Sequence, residues 1–206
     1  MKKIIIMGAG GHGQVVADAL KQMKGAEPVA FVDENNELHG KKIMGIPVPG
    51  GSTAIKGIPH DGIVVALGDN ALRKRIFNEL HEAGENLFSV IHPSAIIAAD
   101  VKIGDGCMIL AGAVINTQAE IKDNTIINTN STIEHHNRIG PHAHIAPGST
   151  LGGEVVVGEE AMVGIGATVL PRTSIGEKSI LGGGSTAIKN IPGGATAAGV
   201  PAYILP

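Results

Sequence analysis

The chain has 206 residues, 43% of them hydrophobic and 2% aromatic, with a formal net charge of −3. The length suffices for one large domain or two modest ones, while the scattered lysines and arginines and near absence of aromatics leave no phosphate-tracking surface or base-stacking platform, so nucleic acid is not an expected partner. No stretch reaches the ~18–20 apolar residues of a membrane helix, and a single cysteine, Cys107, gives no disulfide framework, as expected in a reducing cytoplasm.

The opening MKKIIIMGAGG has two lysines before a short apolar run that stops at a glycine turn, which reads as a first strand rather than a signal peptide. Strands are expected at 3–7 and 29–33, with a helix at 12–24 between them. GIVVALG at 62–68 is another strand, followed by a helix through Leu72, Ile76 and Leu80 and a last strand, LFSVI, at 87–91. This alternation predicts a small parallel α/β domain over residues 1–90.

In its first turn, GAGGHG, Gly8, Gly10 and Gly13 have G-x-G-x-x-G spacing, and Asp33 stands at the tip of the next strand. Such glycines let the backbone approach a pyrophosphate at a helix N-terminus, and the acid suits a ribose or uracil-side contact. About ninety residues make one mononucleotide-binding half, so a nucleotide-sugar fits better than a dinucleotide. At the end of the third core strand, ALGDNALRKR puts Gly68, Asp69 and Asn70 on the carboxyl edge where ligands of open α/β sheets bind. Arg73, Lys74 and Arg75 are expected to solvate the following helix, and His60 and His81 to lie on the surface.

From Ile91 to Leu181 every sixth residue is aliphatic, sixteen positions in succession, and the residue four after each is nearly always small. A short strand with one inward aliphatic, followed by a tight turn admitting a small inward side chain, gives that hexad its physical meaning. Three hexads make a coil of eighteen residues, and stacked coils bury a column no single repeat could bury. The prediction for 91–206 is a parallel β-helix with a C-terminal tail. Cys107 falls in a small inward slot, which argues for a buried small hydrophobe and against a nucleophile.

One hexad departs from this uniformity. NTNSTIEHHNRIG places Glu134 outward from the sheet, His135 and His136 at a corner, and Asn137 in a small inward slot. A histidine near neutral pKa suits general-base work, and a second donor, such as His144 or a backbone N–H, suits a developing oxyanion. His135 and His144 are half a coil apart and belong near different corners, so they share a site only if a neighbouring subunit supplies one of them. His142 is expected on the surface. A zinc site would need histidines recurring near eighteen or as a pair about five apart; the positions stacked on His135 are Thr117 and Gly153, so no metal is expected.

The GAGGHG half-Rossmann unit fused to an uninterrupted hexad helix, with ALGDNALRKR, NTNSTIEHHNRIG, VGIGATVLP, ILGGGSTAIKNIP and the terminal AGVPA, resembles the sugar acyltransferase family of UDP-4-amino-sugar N-acetyltransferases and sialic acid O-acetyltransferases over essentially the whole chain. The resemblance implies a left-handed helix and a homotrimer with sites between subunits, using acetyl-CoA. It further implies that Gly10, Gly11, His12, Asp33, Glu34 and Gly68 contact the nucleotide-sugar. His135 would be the general base with Asn128 nearby, His144 would contact the thioester, and Gly153, Ile165 and Gly183 would meet the pantetheine arm, with AGVPA closing over the cofactor. In the amino-sugar enzymes of that family an acid follows the base and polarises it; here His136 stands in that place, leaving Glu134, His136 or another subunit to take the role. The expected reaction is direct acetyl transfer to the amine of a UDP-4-amino-sugar. The alternatives are O-acetylation of sialic acid and a non-catalytic nucleotide-binding module.

Overall fold

A computed structural model describes all 206 residues. Strand β1 (Lys2–Met7) leads through the glycine turn to helix α1 (Gly11–Gln22) and strand β2 (Ala26–Val32). A small antiparallel hairpin, β3 (Lys42–Ile43) and β4 (Ile46–Pro47), precedes strand β5 (Gly62–Val65) and helix α2 (Asn70–Glu82). The three long strands form a parallel sheet in the order β2-β1-β5. Central β1 is a continuous apolar run because both its faces are covered: Ile4 and Ile6 pack with Val16 and Leu20 of α1, and Ile5 and Met7 with Phe77 and Leu80 of α2. Helix α2 starts where the Asp69 carboxylate accepts the Leu72 N–H at 2.8 Å, an N-cap that satisfies one of the free donors of the first turn.

The segment expected as a last α/β strand does something else. Leu87 makes a single bridge to Ile63, and Val90–Ile91 pairs with Met108–Ile109 as the first rung of the β-helix. Ile91 already occupies the inward aliphatic position of the hexad, so its register belongs to the coils.

From there, two-residue strands repeat every six residues and pair in parallel with partners eighteen apart, as in Val114 with Thr132 and Ile115 with Ile133. They build three walls. Wall 1 runs from Val90–Ile91 through His144–Ile145 to Thr196–Ala198 and ends in an antiparallel pairing with Tyr203–Ile204. Wall 2 contains Thr132–Ile133, and wall 3 contains Arg138–Ile139. The aliphatic series fills the interior from Ile109 to Leu181 with almost no exposure. The small inward residues also close the turns. Thr125 donates to the Lys122 and Gly140 carbonyls, and Asn137 donates to Glu134 at 2.6 Å and to Gly152 at 2.9 Å, so the unusual asparagine has a structural task.

The hexad corners also contain a left-handed residue, at fourteen consecutive repeats from Gly106 to Gly184. Nine of these carry side chains, His136, Glu154 and Arg172 among them, in a conformation that costs about 1 kcal/mol outside glycine. The cost is offset because the N–H of eight of these nine, all but Gln118, reaches a carbonyl of the preceding coil, as His136 does to Thr117 at 3.1 Å and Glu154 to His135 at 2.9 Å.

The α/β domain lies against wall 1, whose outward Val90, Met108, Leu110 and Ile126 share a core with α1 and β1. Arg73 does not solvate its helix, as the sequence suggests, but is completely buried at this junction. Its guanidinium donates to the carbonyls of Leu67 at 3.0 Å, Asn124 at 3.2 Å, His142 at 2.6 Å and Ala143 at 3.3 Å. Burial lowers its pKa to about 10, partly countered by the Asp69 carboxylate, so the cation persists at neutral pH. Lys74 likewise turns to the β-helix and pairs with Glu159 and Glu160, leaving Arg75 as the exposed member of the three. His142 is buried rather than on the surface, bonded to the Asn124 amide at 2.9 Å and packed edge-on to Phe77. His60 is similarly held, between Glu85 and the Ile58 carbonyl. Arg73→Ala is expected to lower stability by about 2–4 kcal/mol, because the carbonyls it serves lose their donor in a buried junction; urea unfolding measures the loss, and Arg73→Lys recovers only part of it.

Candidate active site

The glycine turn is built as its spacing predicts. A Cβ at Gly13 would lie 1.9 Å from the Gly8 carbonyl oxygen, and Gly8 has φ +105°, so both positions need glycine for α1 to pack on β1. Around Gly10 and Gly11 there is open space, and Gly10 caps α1 with no side-chain partner, so the first N–H groups of the helix are bare toward an anion. The two acids at the tip of β2 both hold the local backbone. Asp33 accepts the Ala9 N–H at 2.8 Å and the Asn35 N–H at 2.9 Å, and Glu34 accepts the Ser52 N–H at 2.8 Å, which keeps its carboxyl below the usual range. A cleft of about 180 Å³ opens beside them, lined by Gly8, Asp33, Glu34, Leu67, Leu72 and Ile76. Gly68 instead borders a second cleft of about 420 Å³ between the start of α2 and wall 1, with Asn70, Glu160 and Met162. Asn70 bridges that junction by donating to the Glu160 carbonyl at 2.9 Å, a contact that nothing in the sequence pattern signals.

His12, at the start of α1, faces His144 on wall 1 with ring centroids 6.3 Å apart. The Asn128 Oδ1 accepts the Thr129 N–H at 2.8 Å, so its amide nitrogen is the atom that faces His144 Nε2 at 3.1 Å. The amide donates, so His144 Nε2 must accept, and the His144 proton resides on Nδ1. Nδ1 is buried without a hydrogen bond, although the Gly68 backbone runs beside it, and His12 Nε2 is likewise unpartnered. Burial, reinforced by the nearby Arg73 cation, lowers His12 to about 4 and His144 to about 3, so both imidazoles are neutral at physiological pH.

His135 and His136 lie elsewhere, exposed at the corner between walls 2 and 3. Their Nδ1 atoms are 3.0 Å apart and their rings are perpendicular. The His135 ring covers Gly153 of the next coil, where a Cβ would stand 2.5 Å from Cε1. Glu134 points to the preceding coil and accepts from the Asn116 amide at 2.9 Å. Asn116 stands eighteen residues before Glu134, so this partner was available from the repeat alone. Ile165, 65% exposed, and Gly183, whose Cβ would lie 3.2 Å from the Ile165 carbonyl, share the corner between walls 1 and 2. One chain therefore gathers Gly10, Gly11, His12, Asn128 and His144 around the domain junction but leaves His135 and Gly153 on a different corner from Ile165 and Gly183. Asn128, expected near His135, is the partner of His144.

Residues 3–80 match the PglD N-terminal domain family and residues 84–183 the GMPPB C-terminal domain family. The perosamine N-acetyltransferase PerB of Caulobacter crescentus, solved with CoA and GDP-perosamine, is 35% identical with a TM-score of 0.93, over 100% of this chain and 98% of that one. The chain belongs to the sugar N-acetyltransferases of the left-handed β-helix type. The acetyltransferase domain of PglB from Neisseria gonorrhoeae FA1090, solved with acetyl coenzyme A, is a second such relative, 32% identical over 99% of both chains with a TM-score of 0.93. UDP-N-acetylbacillosamine N-acetyltransferase of Bacillus subtilis (strain 168) is 38% identical over 113 residues, 54% of this chain; the match spans about half, 52%, of that relative. The β-helix of this family member is thus left-handed, the property that hexad periodicity by itself does not set.

The two buried histidines give the junction a pH signature. Their folded pKa values lie below the ~6.5 of an unfolded histidine, so the stability they contribute is complete above about pH 6.5 and is lost as pH falls toward 4, where the unfolded chain binds protons the folded one refuses. The unfolding midpoint is expected to fall between pH 7 and pH 4.5. In His144→Gln the dependence should be shallower by up to about 1.4 kcal/mol per pH unit; thermal melts across that range measure both.

Proposed function

We infer that this protein transfers acetyl from acetyl-CoA to the amine of a nucleotide-activated sugar, with a UDP-4-amino-sugar as the preferred acceptor, as a cytoplasmic homotrimer. The observation that carries the reading is the match of both domains, end to end, to a protein solved with CoA and GDP-perosamine. The bare turn at Gly10 and Gly11 suits the pyrophosphate, and the cleft beside Asp33 and Glu34 suits the nucleoside.

Transfer is direct. The sugar amine, as its free base, attacks the thioester carbonyl; the C–N bond forms, and His135 takes the amine proton at Nε2. The C–S bond then breaks, and the proton passes to the departing sulfur of CoA. No acyl-cysteine intervenes, since Cys107 is buried in the coil and its thiol is pushed up to about 12 by burial. His144, fixed as the Nδ1–H tautomer by Asn128, is in this reading the donor for the oxygen that becomes negative in the tetrahedral intermediate, and its buried Nδ1–H has to be uncovered from beside the Gly68 backbone before it serves. His135 reaches that donor from a neighbouring subunit, because the two lie on different faces of one prism. The trimer is in this reading part of the catalytic apparatus.

Two measurements test this. Thiol release from acetyl-CoA, assayed with UDP-, GDP- and dTDP-linked 4-amino-sugars, free sialic acid and CMP-sialic acid, is expected with a UDP-linked amine; turnover with sialic acids alone would replace N- by O-acetylation. His135→Ala is expected to lower kcat by roughly 10²–10⁴-fold while KM for acetyl-CoA changes little, and wild-type turnover in that variant would remove His135 from the mechanism.

A further inference from the structure

The His135 base has no carboxylate beside it: the nearest acid in sequence, Glu134, is committed to Asn116 one coil away. What touches the His135 ring at Nδ1 is His136 Nδ1, 3.0 Å away. Two neutral imidazoles joined nitrogen to nitrogen share one proton, so one donates and the other accepts. If His135 donates from Nδ1, its Nε2 carries a lone pair and is able to take a proton. In the reverse arrangement His135 Nε2 carries hydrogen and is useless as a base. The first arrangement also strengthens on reaction, because the imidazolium formed at His135 is a better donor to His136.

We propose that His136 is the positioning residue of the base, a neutral hydrogen-bond acceptor that holds His135 in the Nδ1–H tautomer and shares the charge when His135 is protonated. This rests on His135 being the base. Three features of the corner favour it. The left-handed backbone at His136, φ +60°, turns its side chain beside the preceding residue. Gly153 lets the His135 ring lie flat against the next coil, where any side chain would collide with it, with Nδ1 turned to His136. His136 also borders an open cleft of about 330 Å³, which leaves the far side of its ring toward water. The charged groups facing it are Asp100, Lys102, Glu120 and Arg138 around that cleft and Glu154 on the next coil. Lys102 and Arg138 are engaged by Glu120 and Arg172 by Glu154; Asp100 lies close enough to interact with His136, and Glu154 with both His135 and His136.

The test compares His136→Gly, which removes the acceptor and relieves the left-handed backbone, with His136→Glu, which supplies a carboxylate acceptor. Glu154 occupies the equivalent place one coil on, so glutamate is compatible with that corner. In His136→Gly, kcat should fall at least about tenfold with KM for both substrates nearly unchanged, and the acid limb of the kcat/KM profile should move to lower pH. His136→Glu should restore most of kcat at pH 8 and move the acid limb to higher pH, because a carboxylate stabilises the imidazolium beside it. Wild-type kcat and an unmoved acid limb in His136→Gly would overturn the proposal. If His135→Ala is inactive while His136→Gly is normal, only this inference fails; if His135→Ala also turns over normally, the reading of His135 as base fails with it.

Discussion

A buried guanidinium sets the geometry on which the rest of the molecule depends. Arg73 leaves α2, passes between the α/β domain and the β-helix and donates to one carbonyl of its own domain and three of the coils. Burying a cation is costly, and carbonyl dipoles arranged on several sides offset that cost only if the two domains stand in one orientation. Asn70 and Lys74 add contacts from the same helix to Glu160 and its neighbour. The outcome is that the carboxyl edge of the small sheet, with its glycine turn, is held against wall 1 at the height of His144. The same cation helps keep His12 and His144 uncharged, so the clamp that docks the domains also sets the protonation of the residues it brings together.

The β-helix works in the opposite way, through repetition. From Gly106 to Gly184 the corners have nearly the same backbone, including the left-handed residue, and nearly every inward position is aliphatic or small. Such a scaffold tolerates almost any outward side chain at a corner, since the strained conformation is sustained by a hydrogen bond to the coil before it. Glutamate, arginine, lysine and histidine all occur there. An outward change at one corner of one coil leaves the prism intact, and the paired His135 and His136 are such a change. A uniform prism also keeps groups on different walls apart by construction, so His135 and His144 of one chain do not meet.

Much of this was legible from residues alone. The hexad announced its walls because parallel coils enforce strict spacing, and the glycine turn announced itself because Gly13 meets the backbone of Gly8, and Gly8 that of Ala66. Arg73, Lys74 and His142 were misread for one reason. In a chain of charged residues on a helix, nothing local distinguishes the one that faces a second domain, and a histidine at a β-helix corner looks solvated until something packs over it. LFSVI was misassigned because a short apolar run satisfies either a sheet or a coil, and register decides between them.

The sequence by itself determined the two-part architecture, the stacking period, the nucleotide-type turn and the hexad with the paired imidazoles, since each depends on contacts local in the chain or repeated at a fixed interval. Tertiary structure alone decided the partners: Arg73 to the carbonyls of both domains, Asn128 to His144 rather than to His135, Glu134 to Asn116, and His136 to the ring beside it. Those pairings depend on the direction in which each side chain leaves a corner or a helix and on what the docked domain covers, and spacing alone encodes neither.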